Sequence, residues 1–472
     1  MLEIKQNSIE AYNLFHNGTL ALAKAERVGI GFDEKYANEQ HTKLTDKINK
    51  IDKKIKKSEF FREWQRSAKS EVNINSDTQL ADFLYNVKGH TPVATTKSGK
   101  GSTNEDALSS LNIPELNSML KMRKLKKIRD TYLGSFMREN NSGIIHPNFN
   151  LNLVATYRSS SNDPNFQNIP KRDKMAMEIT RRCLIPRKGH QLAEVDFNQL
   201  EVMIAACFHK DPTMLKYLMT GKDMHGDIAK QIFKIPKFDK NHSGHSLLRK
   251  AAKNGFVFPE FYGDYFKPCA VNMAHKWGKL PMGNWKAQEG VEYEGKTMLS
   301  DHLISQGLSS MAEFTEHIRK IERHFWDKRF PVYRDWKETQ WQQYQKNGYV
   351  DTYTGFRCSS PSKSTSSTLS KNDAINYPVQ GTAFHCLLWC LDKITLILEQ
   401  QKMDSKVIGQ IHDAIVFDIL PEELERVVAI AVEVMTKQLP AHWKWLLVPL
   451  RVEFDIGAVD ASWADLQPYK IK

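Results

Sequence analysis

Cysteine is scarce in this sequence and nowhere arranged for metal or redox chemistry. The six residues (Cys183, Cys207, Cys269, Cys358, Cys386 and Cys390) contain no Cys-x-x-Cys pair, and Cys386 and Cys390 stand at i,i+4 inside an apolar run. They read as reduced, mostly buried thiols, which excludes a disulfide scaffold and the common thiolate zinc sites. No apolar stretch of about 18 residues stands out, and Met1-Leu2-Glu3-Ile4-Lys5 has no apolar signal-peptide core. The expectation is an intracellular chain with no membrane partner. Internal repeats and long low-complexity tracts are also lacking, so a solenoid is excluded.

Acidic residues fall short of basic ones. The chain of 472 residues carries 67 Lys and Arg against 55 Asp and Glu, a formal charge of +12, which favours a polyanionic partner without naming it. Its length points to two or three subdomains with ample core. Residues 8–70 look helical. Leu44, Ile48, Ile51 and Ile55 share one face, while Lys47, Lys50, Lys53, Lys54, Lys56 and Lys57 crowd the others. After a Gly/Ser/Thr-rich loop at Thr95–Asn104, the helical run Leu120–Arg129 repeats the basic pattern. Each helix alone reads as a solvated face or as a contact for nucleic-acid phosphates, and two together favour the second.

From about residue 145 the texture changes to a polar, irregular stretch that includes Arg158, Asn162, Asp163 and Asn168. A strand is predicted over Gln191–Phe197, followed by an apolar helix from near Gln199, so Asp196 sits at a strand end. Lys406–Ile411 and Ala414–Ile419 read as two strands joined by His412-Asp413, which presents Asp413 at a hairpin tip. Either aspartate alone is as easily a turn residue. If they converge, they form a clamp for divalent ions suited to phosphoryl chemistry. Between them, Arg249 and Lys253 fall at i,i+4 on one helix face, where two cations can grip a triphosphate.

The order of these segments is more specific than any one of them. Asp196-Phe197-Asn198-Gln199-Leu200-Glu201, Arg249…Lys253…Tyr262-Gly263, Asn376-Tyr377-Pro378-Val379-Gln380-Gly381 and Gln410-Ile411-His412-Asp413 resemble, in sequence and wording, the motifs of family A DNA polymerases. That is the bacterial DNA polymerase I and phage replicative group, and the resemblance spans roughly residues 10–470. It implies an α+β right hand: a helical, basic thumb over 1–145, a first palm part over 146–215, fingers over 216–345 and a second palm part with antiparallel sheet over 346–472.

The resemblance also implies a template-directed polymerase that adds dNMP from dNTP to a primer 3′-hydroxyl. Asp196, Asp413 and the Phe197 carbonyl would hold two magnesium ions, for which manganese can substitute. Lys253 would protonate the leaving group, and Arg249, Lys253 and His225 would meet the triphosphate. Phe258, Tyr262, Glu201 and Gln199 would shape the nucleotide pocket, with Glu201 and Tyr262 excluding a 2′-hydroxyl. Arg158, Asn168, Arg182, Asn376, Gln380 and His412 would track the primer–template, although Arg181 could serve in place of Arg182. Partners are then primer–template DNA, dNTPs and a separate exonuclease, helicase-primase or processivity factor, in the cytoplasm of a bacterial or phage-infected cell.

The sequence departs from the family in four places. Ala414 replaces the acid that usually follows the hairpin aspartate, and Asp418, five residues beyond Asp413, is not expected to substitute. The alternatives are a catalytically weak nucleic-acid-binding or processivity protein on the same scaffold, or a lesion-bypass or reverse-transcribing enzyme. One extra residue separates Lys253 from Tyr262, so the stacking aromatic is Phe258 or, counted the other way, Val257; Pro259 predicts a kink or bulge near 255–259. Tyr157 stands where glycine is usual. The stretch Gly263–Phe330 is long, which predicts an insertion at about 275–312. The first 150 residues contain no Asp-x-Glu, so this chain is not expected to proofread.

Overall fold

Alternating apolar residues in three separated segments build the sheet that organises the molecule. The computed structural model describes residues 8–92, 95–96, 99–359 and 368–471. The sheet comprises β1 (Gln191–Phe197), β2 (Lys406–Ile411), β3 (Ala414–Ile419), β4 (Val452–Ile456) and β5 (Gln467–Tyr469), in the order β2-β3-β1-β4-β5. All its neighbours are antiparallel. The predicted bounds of β1, β2 and β3 match those observed.

Side chains alternate across a strand, so each sheet face feeds a different core. Ala193, Val195, Phe197, Ile415, Phe417 and Ile419 join one apolar cluster with α1 (Ser8–Val28), α2 (Leu200–His209) and the 30-residue α5 (Lys371–Gln400). Leu192, Val416, Ile408 and Ile411 join a second cluster. Helices Glu34–Lys56 and Pro114–Lys126 supply Leu44, Ile48, Ile55, Met119, Met122 and Leu125 to it. The lysines at 47, 50, 53, 54, 56 and 57 are all exposed.

Several expectations change. The helical reading of 8–70 is broken by a short strand at Ile30–Phe32, whose Gly31 pairs with both Ile144 and Ile185. Helix α1 packs on α5, so closely that a Cβ on Gly18 would lie 2.6 Å from Leu388 Cγ. It therefore shares a core with the sheet and not with the two basic helices. α5 is also long and apolar enough to cross a membrane by length and composition, contrary to the sequence reading, but 78% of its apolar window is buried inside the protein. Its Pro378 lies inside the helix without ending it. Of the Thr95–Asn104 loop, residues 97 and 98 lie outside the described residues, as do Met1–Lys5.

The Arg249–Tyr262 segment is irregular where expected. Helix α3 (Ser243–Ala252) runs into a π-helical turn over Lys253–Val257, and α4 (Phe258–Phe261) follows. Within that turn the Phe258 N–H donates to the Lys253 carbonyl five residues back. A π turn absorbs one additional residue, as the extra residue expected between Lys253 and Tyr262 requires. The region 275–312 holds Glu292–Glu294, Thr297–Met298 and Leu299–Ser305 in a small hairpin and helix.

Candidate active site

The register of the sheet brings the two aspartates to one end. Asp196 is the cross-strand partner of Ala414, so Asp413 lies one residue past it at the turn. On the other flank Asp196 is paired with Glu453 of β4. Cross-strand partners share a face, so Asp196 is bordered by a methyl group on one side and a carboxylate on the other. Glu453 is exposed, and its Oε1 accepts from Asn198 Nδ2 at 3.0 Å. The sequence reading passed over Glu453, since an acid in a short strand carries no motif. Asp418 is at the far end of β3, opposite Leu192. It accepts from the Arg187 backbone N–H at 2.7 Å and Nε at 2.9 Å and faces His190 Nδ1 at 2.7 Å, so it cannot reach the pair.

Burial and then the neighbouring Asp413 push the Asp196 carboxyl up to about 7. Burial, then Glu201, push Asp413 up to about 6, against the opposing Arg158. Two carboxylates that resist ionising together fit an oxygen-seeking divalent cation, whose charge would offset theirs. Among the described residues no group of three or more His, Cys, Asp or Glu is preassembled to hold a metal. Phe197, one residue beyond Asp196, ends β1.

This arrangement sets stability against function. A carboxyl raised in the fold contributes stability that is complete below its ordinary pKa near 3.8 and lost as pH rises through about 7. Asp196→Asn is therefore expected to melt a few degrees above the native chain at pH 8 in EDTA, with the difference vanishing below about pH 4. Thermal melts across pH would show it, and a variant that melts lower at pH 8 would refute it.

Across the cleft stand the cations of the π-turned helix. Lys253 makes no ion pair among the described residues. Burial, then Arg249 and Arg172, lower its pKa, and the one carboxylate opposing them is Glu453, the register neighbour of Asp196. Its ammonium lies 5.2 Å from the Phe258 ring centroid. Phe258 is half-buried and meets His225 edge-on at 5.7 Å, while Val257 is completely buried, so Phe258 is the aromatic that faces the cleft. Arg249 is held in a fork by Asp223, at 2.7 and 2.8 Å, and Asp223 also accepts from the Gly226 N–H at 3.0 Å. His225 is buried with neither ring nitrogen partnered. Burial, then Lys253 and Arg249, lower its pKa to about 4.

Glu201 joins the two sides, accepting from Arg158 Nη1 at 3.2 Å and from the Tyr262 hydroxyl. Asn376 Nδ2 donates to the Tyr262 carbonyl at 3.1 Å. Gln199 precedes α2 in a left-handed conformation, φ 58°, and is exposed. Arg158, Asn168, Gln380 and His412 line one cavity of about 460 Å³, together with Ser159, Gln167 and Gln410. At Gly381, next to Gln380, a Cβ would fall 2.6 Å from the Thr156 carbonyl, so the polar loop and α5 approach to backbone contact there. Arg181 is buried, pairing with Glu194 at 2.5 Å and lying 4.6 Å from the Trp463 ring. Arg182 pairs with Asp465 at 3.0 Å and stays near the surface. Tyr157 adopts φ 57°, the conformation glycine takes without strain. Its hydroxyl donates to the Arg357 carbonyl at 3.0 Å and its ring packs on Phe356.

The sequence profile of DNA polymerase family A matches residues 34–267 and 303–465. It leaves out 268–302, where most of the expected insertion lies. The thermostable DNA polymerase I of Thermus aquaticus is 29% identical over 446 residues, covering 92% of this chain and 46% of that protein. The DNA polymerase I of Geobacillus stearothermophilus is 25% identical over 453 residues, covering 94% and 44%. The chain thus spans a little under half the length of these relatives. Among solved structures, the POL domain of Pol1 from M. smegmatis, in complex with DNA primer-template and dNTP, has the same fold, with a TM-score of 0.73 at 23% identity. The match covers 96% of this chain and 70% of that one.

Proposed function

The chain belongs to DNA polymerase family A and corresponds to its polymerase domain, and from that premise we propose that it extends a primer on a template with dNTPs. One observation carries the reading: Asp196 and Asp413 meet at the end of the sheet, and Lys253, which makes no ion pair among the described residues, has Glu453, the register neighbour of Asp196, as its one opposing carboxylate. An acidic pair facing an unneutralised cation accommodates a metal-bound triphosphate, whose charge completes both. In this reading residues from about 29 to 145, with the two basic helices, form the thumb, the sheet with α1 and α5 the palm, and 216–345 the fingers.

Asp196, Asp413 and the Phe197 carbonyl would hold the divalent ions. Bound there, magnesium would make the primer 3′-hydroxyl more acidic and neutralise charge on the departing pyrophosphate. Lys253 Nζ would carry the proton delivered to the leaving phosphate oxygen, and its lowered pKa eases that transfer. Arg249, presented by Asp223, would bind phosphate oxygens in a fork, and His225 would offer a ring nitrogen that has no other partner. Phe258 would stack on the incoming base. Arg158, Asn168, Asn376, Gln380 and His412 would follow the minor groove, and Arg182 a backbone phosphate.

Primer extension on DNA and RNA templates, compared with Asp196→Ala, tests the proposal and separates a DNA-copying from a reverse-transcribing activity. No extension by the native chain would overturn it in favour of a binding role. The same primer, labelled at its 3′ end and incubated without dNTPs, should stay intact, because we assign no proofreading to this chain. Glu201 and Tyr262 close the pocket beside the sugar. Glu201→Ala should therefore raise ribonucleotide use relative to dNTP use by roughly tenfold to a hundredfold, and an unchanged ratio in single-nucleotide incorporation would remove Glu201 from that role.

A further inference from the structure

His412 has a left-handed backbone, φ 50°, an unfavourable conformation for a residue with a side chain. Both of its backbone polar groups are held by side-chain amides. Its N–H donates to Gln167 Oε1 at 2.8 Å, and its carbonyl accepts from Gln410 Nε2. The two amides are themselves interlocked. Gln167 Nε2 lies 2.6 Å from Gln410 Oε1 and 3.1 Å from the Gln410 carbonyl, and Ser159 Oγ donates to the same Oε1 at 2.6 Å.

Gln410 is almost fully buried. Gln167 rides on the short turn Phe166–Asn168, anchored by a completely buried Phe166 whose ring lies 5.2 Å from that of Trp463. A glutamine amide supplies acceptor and donors from one rigid plane. Two of them locked together fix the orientation of both peptide groups at His412, and the next residue in the chain is Asp413.

We propose that Gln167 and Gln410, with Ser159, form a positioning clamp that sets the direction of the Asp413 carboxylate. This rests on the polymerase reading above for its chemistry, though not for its geometry. The clamp bears more of the burden here because the position after Asp413 is Ala414, so no adjacent acid offers a second oxygen if the turn relaxes. Gln167 and Gln410 touch neither nucleotide nor metal in this account; they act through the turn.

The test is Gln167→Met, which keeps length and removes the amide. The expected result is a fall in kcat on the order of 10–100-fold, the cost of a misplaced reacting group. The KM for dNTP should stay within about twofold, primer–template affinity should be unchanged, melting temperature should fall by no more than a few degrees, and half-maximal activity should require several-fold more Mg2+. Ser159→Ala, which removes the bond donated to Gln410 Oε1 and the one accepted from Gln167 Nε2 at 3.1 Å but leaves both amides in place, should give a smaller fall in the same direction. Mn2+ binding to the protein alone, followed by electron paramagnetic resonance, should weaken several-fold in Gln167→Met. Unchanged kcat and Mn2+ affinity, or a loss confined to primer–template affinity, would overturn the clamp. An inert native chain would overturn the polymerase reading and leave the Mn2+ comparison to decide the clamp.

Discussion

Replacing Asp413 with alanine is expected to slow primer extension by at least about a thousandfold, equivalent to about 4 kcal/mol of lost transition-state stabilisation. The size of the effect follows from how little stands behind this carboxylate. Ala414 contributes a methyl group where a second acid could have been, and Asp418 is committed to Arg187 and His190 at the opposite end of the strand. Glu453 borders Asp196 on its other flank, away from the turn. The variant should fold, because removing a carboxyl whose burial already pushes it up to about 6 relieves charge and opens no core cavity. Single-turnover extension with melting temperature measured in parallel checks both parts. Activity within tenfold of native would show that the metal is held elsewhere.

The second large effect is expected at Lys253. Lys253→Ala should cost on the order of a hundredfold to a thousandfold in kcat, from lost triphosphate orientation and lost proton delivery together. Lys253→Arg separates the two. It restores a charge beside Arg249 and Arg172 but cannot give up its proton, so only the electrostatic part should return. The pH profile carries the sign. Lys253 acts in its protonated form, and burial with two neighbouring cations lowers its pKa, so the native rate should fall on the alkaline side earlier than an ordinary lysine would allow. In Lys253→Arg that alkaline limb should disappear. If both proteins share the same limb, another group is the acid.

What could be read from the sequence was local. β1, β2 and β3 have their predicted ends because each is a short apolar run stopped by polar residues, and two residues leave room only for a tight hairpin. The irregularity near 255–259 was legible through Pro259 and the extra residue. Features that depend on strand order or packing were not. Nothing in Val452–Ile456 announces that β4 lies beside β1, so Glu453 had no visible link to Asp196. Gln167 sits in a stretch that reads as loop, and its bond to the His412 N–H spans 245 positions. Helix α1 looked like the other amino-terminal helices because its partner, α5, is over 340 residues away. The apolar run around Cys386 and Cys390 was legible but the full length of α5 was not, because a proline ordinarily interrupts a helix, whereas Pro378 lies inside this one.

The π turn at Lys253–Val257 bears on how this family tolerates changes in chain length. A helix that gains a residue would ordinarily rotate everything beyond it by about 100°, turning Tyr262 away from Glu201. Looping the surplus into one wide turn leaves the two ends in phase, with the cations before it and the aromatics after it still facing one cleft. Deleting a single residue from 254–256 should therefore be silent for Tyr262, whereas the same deletion among 258–261 should not. An added residue in this helix can in this way pass as a neutral change, its record kept in the backbone of one turn.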